Sequence, residues 1–403
     1  MEHYRVMNDE PVSGRGILGI LNRNYLSSFL AFFLCLTAFF MLYPTLPIFL
    51  AKSGSSDREI GVLIGILGAS SLISRFLVGK ILTKYSAKSV MMAGALLLML
   101  TLLGSIVIPP YWPFLGLRFF QGIAYACLST AAVACAINII PLRYRAQGLG
   151  YFLLAPSFGL AVGPSFGMLL VNHFGFTILF LACTFLSACS LIFSYRIEEQ
   201  KIEESGNRAS TPNNSFVDLK IIAPAAVNAV QFFIWGAFVA FFPLYAIQCG
   251  VKNPGYFFTA NAAMLIAGRV VGGKMLATPR KERIILIFLS TAAVVMLVQS
   301  FSKTLPLFVF VGAAWGLGAA YLTPTLFAYA LDYTGSSKGP AVGTYQALQD
   351  LGMTLGPMTM GIILPYTGYR WMFVCLAMIG LLDLLYFWFF VRKRKKCSSH
   401  EDS

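Results

Sequence analysis

Residues 27–50 read SSFLAFFLCLTAFFMLYPTLPIFL, an unbroken stretch without Lys, Arg, His, Asp or Glu. As a helix it would rise about 36 Å, enough to cross the roughly 30 Å hydrocarbon core of a bilayer. No small-residue cleavage site of the signal-peptide kind accompanies it, so it reads as a retained first membrane span. The rest of the chain has the same character. Of its 403 residues, 58% are hydrophobic and 11% charged, whereas a soluble protein carries about 25% charge. The apolar residues suffice for about 11 to 12 spans of some 20 residues each. A soluble enzyme, a nucleic-acid-binding domain and a disordered chain are therefore excluded.

Apolar runs fall near 27–50, 59–82, 89–108, 113–139, 147–171 and 176–195, then 221–248, 256–277, 284–302, 306–331, 341–364 and 371–391. An all-α membrane protein of twelve transmembrane helices is expected. Residues 1–26 form an N-terminal segment, 196–220 a polar linker of mixed charge, and 392–403 a basic tail. The net charge of +14 does not point to nucleic acid once its placement is considered. With the N-terminus in the cytoplasm, 22 Lys and Arg lie on the cytoplasmic side and 5 outside, namely Lys52, Arg58, Lys252, Lys303 and Arg370. The positive-inside rule then assigns both termini and the linker to the cytoplasm, and a bacterial-type inner membrane is the expected location. The eight cysteines include no Cys-x-x-Cys pair, and with three His in the chain no metal or haem set is expected. They read as small packing residues, and no cofactor is expected.

The stretches 27–195 and 221–391 also resemble each other. Ser74-Arg75-Phe-Leu-Val-Gly79-Lys80 recurs as Gly268-Arg269-Val-Val-Gly-Gly273-Lys274, 194 residues on. At the same offset Gln121-Gly122 answers to Trp315-Gly316. Gly159-x-x-x-Gly163-Pro164 recurs as Gly352-x-x-x-Gly356-Pro357, and Pro47 and Gly54 answer to Pro243 and Gly250. Two pseudo-symmetric six-helix bundles follow, with a site expected at mid-membrane between them and rocking as the motion that exposes it to either side.

These features resemble the major facilitator superfamily over essentially the whole chain. Gly79-Lys80-Ile-Leu-Thr83-Lys84-Tyr-Ser86-Ala-Lys88 looks like the family's loop motif, with Thr83 in place of its acid and Ser86 in place of its second Gly. Arg118-x-x-Gln121-Gly122 matches the Arg-x-x-Gln-Gly motif, which the family associates with proton coupling. Gly159-x-x-x-Gly163-Pro164-x-x-Gly167 is similar to the family's antiporter signature. The scattered pattern around Gly236-Ala237, Phe242-Pro243-Leu244-Tyr245 and Gln349-Asp350-Leu351-Gly352 is similar to the branch holding staphylopine-type metallophore exporters. On spacing alone, the Gly159/Gly163 face serves helix packing. The matching Gly-Pro pairs in both halves favour a hinge or an interdomain face.

Ionisable residues within spans need a partner or a role. Arg75 and Asp350 sit at matched depth, roughly 13–15 Å from the cytoplasmic side, on spans 2 and 11, which the resemblance packs against each other. They are candidates for an interdomain gate. Arg269 lies at matched depth on span 8, facing Ser157 where a partner would stand. Asp383, on peripheral span 12, is expected to make a local contact. Arg118, Gln121 and Tyr125 form one stripe on span 4, as Asn228, Gln231 and Trp235 do on span 7. In the family, spans 1, 4, 7 and 10 line the cavity, so Tyr43, Trp315, Thr325 and Tyr329 complete the candidate wall. An aromatic cavity with one fixed cation suits a small amphipathic molecule, neutral or anionic. A proton-coupled exporter, monomeric in the lipid bilayer, is the leading reading; an importer or uniporter on the same fold is the alternative. No nucleophile–base pair, metal cluster or nucleotide-binding loop supports an enzyme or an ATP-driven pump.

The topology has a direct consequence. In a cysteine-free background, a membrane-impermeant thiol reagent applied from outside should label a cysteine at position 252 and leave one at 208 untouched. The reverse pattern would invert the assignment.

Overall fold

A computed structural model describes residues 22–108, 112–141, 144–198, 221–271, 281–332 and 338–392. Most of the expected N-terminal segment, linker and basic tail lies outside them, as does Gly273-Lys274 of the repeat. Spans 1 to 4 are the helices Arg23–Lys52, Asp57–Ile81, Ala87–Val107 and Trp112–Ile139. A short helix, Arg145–Phe152, leads into Leu154–Tyr195, which holds spans 5 and 6. Spans 7 to 10 are Ile222–Gln248, Gly255–Val271, Lys281–Phe301 and Leu305–Leu331. Lys338–Tyr386 holds spans 11 and 12 and ends in the π-helical turn Phe387–Val391. Among the described residues, nine helices are long and apolar enough to cross a membrane and one shorter apolar helix, Gly255–Val271, has 17 residues. Two of the nine are double, and counting their halves separately gives twelve segments.

Both double helices break at a glycine. Gly175 (φ 83°) and Gly368 (φ 72°) hold a left-handed backbone that a side chain would strain. Span 1 records the reversal at Gly175. Gly159, Gly163 and Gly167 lie in turn against Thr37, Phe40 and Met41, so span 5 runs parallel to span 1. Cys183 and Ser190 then bond the carbonyls of Ala38 and Ala31, so span 6 runs back. Span 7 has the same relation to spans 11 and 12. Gly352 and Gly356 close on Ala229 and Phe233, while Phe373 packs on Tyr245 and Asp383 bonds Gln231. Gly54 (φ 87°) and Gly250 (φ 83°) make the corresponding turns after spans 1 and 7. All four glycines sit at the same end of the helices, the end poor in Lys and Arg.

Water drives no burial inside a bilayer, so these helices hold together by close backbone approach. A Cβ on Gly122 of span 4 would stand 2.4 Å from the Leu67 carbonyl of span 2. Its repeat mate Gly316 of span 10 stands in the same relation to span 8, where a Cβ would meet the Asn261 carbonyl at 2.0 Å. Many hydroxyls inside the spans bond carbonyls of their own helix, as Thr37 does to Phe33 and Thr354 to Asp350, and these need no water.

Two main interfaces join the halves. Span 5 meets span 8, where Thr259 Oγ1 donates to the Ala161 carbonyl (2.7 Å) and Gly255 abuts Pro164 and Ser165. Span 2 meets span 11, where Gly61, Gly65 and Gly68 lie on Thr354 and Pro357. The Gly159/Gly163/Gly167 face thus packs on span 1 within its own half. Pro164 is the member of that motif that reaches across.

A methyl group at Gly316 has nowhere to go. Gly316→Ala should destabilise the purified protein by about 1–3 kcal/mol, read as an earlier thermal unfolding midpoint. Gly318→Ala, whose Cβ would meet its nearest neighbour, Phe288, at 3.8 Å, should leave the midpoint unchanged. Equal effects would contradict the close approach of spans 8 and 10.

Candidate functional site

Between the halves lies a cavity walled by spans 1, 2, 4, 7 and 11. Phe39, Tyr43 and Leu46 line it from span 1, Ile64, Gly68 and Ser71 from span 2, and Arg118 and Tyr125 from span 4. Trp235 and Val239 of span 7 and Gln349, Asp350 and Met353 of span 11 complete it. The wall is aromatic and packed: Phe39 stacks on Tyr125 with ring centroids 4.9 Å apart, and Tyr43 reaches across the halves to Phe258 (6.1 Å).

Arg118 is 5% exposed. Its Nε donates to the Leu63 carbonyl of span 2 at 3.0 Å and its Nη1 to Gln121 Oε1 at 2.7 Å. A carbonyl has two lone pairs, so Leu63 can accept this bond in addition to its helical one. The Arg-x-x-Gln-Gly motif is thereby explained as one device. Gly122 lets span 4 approach span 2, Arg118 bonds across the contact, and Gln121, one helical turn away, holds the guanidinium. Among the described residues Arg118 is in no ion pair. Guanidinium has five N–H donors, so three remain beyond the bonds to Leu63 and Gln121, and the charge faces the cavity.

Arg75 and Asp350 meet. Arg75 Nε lies 2.5 Å from Asp350 Oδ2, and Ser71 Oγ donates to the same oxygen at 3.3 Å. Their side chains are 17% and 10% exposed. The guanidinium also lies over the Tyr125 ring, 5.8 Å from its centroid. The glycines of span 2 make the approach possible, since a Cβ on Gly68 would be 2.5 Å from Thr354 Oγ1. By residue count Arg75 is six positions from the end of its helix and Asp350 twelve from the start of its own. Those depths, about 9 and 18 Å, are less equal than the apolar runs imply, and the longer start of span 11 absorbs the difference.

The remaining candidates fall into two groups. Gln121 supports Arg118 from behind the wall, and Asn228 Nδ2 donates to Gln349 Oε1 at 3.4 Å beside it. Gln231, Trp315, Thr325 and Tyr329 lie within the C-terminal half. Gln231 Nε2 donates to Asp383 Oδ2 (2.7 Å), and Tyr329 packs on Phe387. Trp315 stacks on Trp235, centroids 6.0 Å apart, so it supports the wall without forming it. Arg269 is half-buried near the end of span 8, with no ion-pair partner among the described residues. Sequence reasoning assigned no part of the wall to spans 2 and 11, although the Gly61/Gly65/Gly68 spacing marks a face built for close contact.

The profile of the Major Facilitator Superfamily matches residues 28–298 and again 255–401. The staphylopine export protein of Staphylococcus aureus is 23% identical over 353 residues, covering 82% of this chain and 87% of that protein. Multidrug resistance protein 2 of Bacillus subtilis is 26% identical over 376 residues, covering 86% and 90%. Among solved structures, the nucleoside transporter NupG superposes with a TM-score of 0.75 at 12% identity, covering 90% of this chain and 98% of that one. The twelve segments, the internal repeat and the cavity between the halves agree with the profile match, and the chain belongs to the major facilitator superfamily of membrane transporters.

Proposed function

We propose that this transporter is a proton-coupled exporter of a small amphipathic molecule, neutral or anionic, in a bacterial-type inner membrane. The observation that carries the reading is the distribution of charge around the cavity. Among the described residues no carboxylate neutralises the cation that Arg118 presents, and the wall carboxylate Asp350 is bound by Arg75. A fixed guanidinium attracts an anionic or electron-rich group, and the aromatic wall takes the apolar remainder. Export as the direction rests on the names of the relatives, a staphylopine exporter and multidrug resistance proteins. Import or uniport of a metabolite is the second reading, favoured by the likeness to a nucleoside transporter.

In this account the charge-rich end faces the cytoplasm, both termini lie there, and the protein works as a monomer. Arg75 and Asp350 lie on the cytoplasmic side of the cavity and hold the halves together there. Opening inward separates them, and an isolated charge in that setting is costly unless water or a proton arrives. A proton on Asp350 removes the attraction, so proton entry and inward opening favour each other. Binding of an anionic group at Arg118 supplies the opposite bias.

Inverted membrane vesicles with an imposed proton gradient test the reading, using a panel of fluorescent amphipathic dyes and anionic metal chelates. Wild type should accumulate members of the panel. Arg118→Ala should abolish accumulation while the protein stays inserted, and Asp350→Asn should lose gradient-driven accumulation yet keep counterflow exchange. Full gradient-driven activity in Asp350→Asn would remove the coupling role. Accumulation confined to right-side-out vesicles would replace export by import.

A further inference from the structure

Asp383 on span 12 is 3% exposed and faces the interior of the C-terminal half. Its Oδ2 accepts the bond from Gln231, while Oδ1 is buried with no hydrogen-bond partner. The elements packed around it carry little charge. Span 7 contributes Gln231 and, far along, Tyr245. Span 9 carries Lys281, Glu282 and Arg283 at its start, where Glu282 pairs with Arg392 and Lys281 with Asp332. Arg392 is about 13 Å along the helix from Asp383. Span 10 contributes Tyr321 and Tyr329, the latter packed on Phe387. Span 11 carries Tyr345, Tyr366 and Asp350, the last already bound to Arg75. Thus no cation among the described residues balances a charge on Asp383. An ionised carboxylate so placed costs far more than a neutral carboxyl, and such groups neutralise instead.

A small cavity adjoins this pair. Gln231 lines it with Ala292, Trp315, Gly318 and Thr323, and Trp315 stacks on the Trp235 of the main cavity. Gln231 thus has the acid on one side and space for water on the other.

We propose that Asp383 is a proton-binding site of the C-terminal half, separate from the Arg75–Asp350 pair. It carries its proton while the half is packed as described and releases it to water entering beside Gln231. In that step the carboxyl O–H bond breaks, the electron pair stays on the carboxylate, and the proton passes to water. Gln231 and the new water then provide the hydrogen bonds that the carboxylate needs. The site goes beyond the exporter reading, because it holds whichever way substrate moves and whether or not Asp350 couples transport.

Infrared difference spectroscopy on the full-length protein in lipid, wild type against Asp383→Asn, reads the site without any transport. The expected result is a protonated-carboxyl C=O band at neutral pH that is lost in Asp383→Asn and kept in Asp350→Asn. It should shift in D₂O and convert to a carboxylate band as the pH is raised. Gln231→Leu, which keeps the acid but removes its donor, should move the band to higher frequency. That variant decides the matter if Asp383→Asn fails to fold. A carboxylate signature at neutral pH, a band indifferent to alkali, or a Gln231→Leu spectrum identical to wild type would overturn the proposal.

Discussion

An arginine and an aspartate face each other across the two halves of this protein, in a medium that tolerates neither alone. The Arg75–Asp350 contact exists because Gly61, Gly65 and Gly68 let span 2 lie on the backbone of span 11. It also touches the cavity, since Asp350 is part of the wall and Tyr125 lies under the guanidinium. Packing, charge and binding space therefore meet at one place. Whatever fills the cavity or protonates the acid acts on the contact between the halves.

The rest of the architecture keeps each half stiff enough for that contact to matter. Within each half, glycines bring helices to backbone distance: Gly159, Gly163 and Gly167 on span 1, and Gly352 and Gly356 on span 7. Between the halves the glycines of span 2 do the same against span 11, and polar contacts join the other interface, as at Ser165–Thr259 and Asn172–Lys252. Two such bodies, meeting on either side of a central cavity, suit rocking about it.

Much of this can be read from the amino-acid sequence, for identifiable reasons. Glycines at turns recur at nearly constant offset because the turn after span 7 needs the same left-handed backbone as the turn after span 1, as Gly54 and Gly250 show. Arg118 and Gln121 are one helical turn apart, so their contact follows from spacing. Sequence reasoning falters over which face of a span looks where. A helix in lipid is apolar on its outer face as well as its packed one, so periodicity hardly orients it. Asn228, Gln231 and Trp235 share one stripe on span 7, yet they reach Gln349, Asp383 and the cavity respectively. Small rotations within one stripe decided among three neighbours. The part played by spans 2 and 11 in the wall depends on how deeply two glycine-rich helices approach, which no single helix reveals.

The proposed coupling requires that protonation of Asp350 free the charge-rich side of the halves. Spin labels at positions 77 and 346, on exposed faces of spans 2 and 11, report that side, and labels at 174 and 256, on spans 5 and 8, report the other. Pulsed-EPR distances in lipid should show Asp350→Asn shifting the 77–346 distribution to longer values without lengthening 174–256. Adding Arg75→Ala should change little further, because one interaction can be broken only once. An unchanged 77–346 distribution in Asp350→Asn, or additive effects of the two substitutions, would contradict the account.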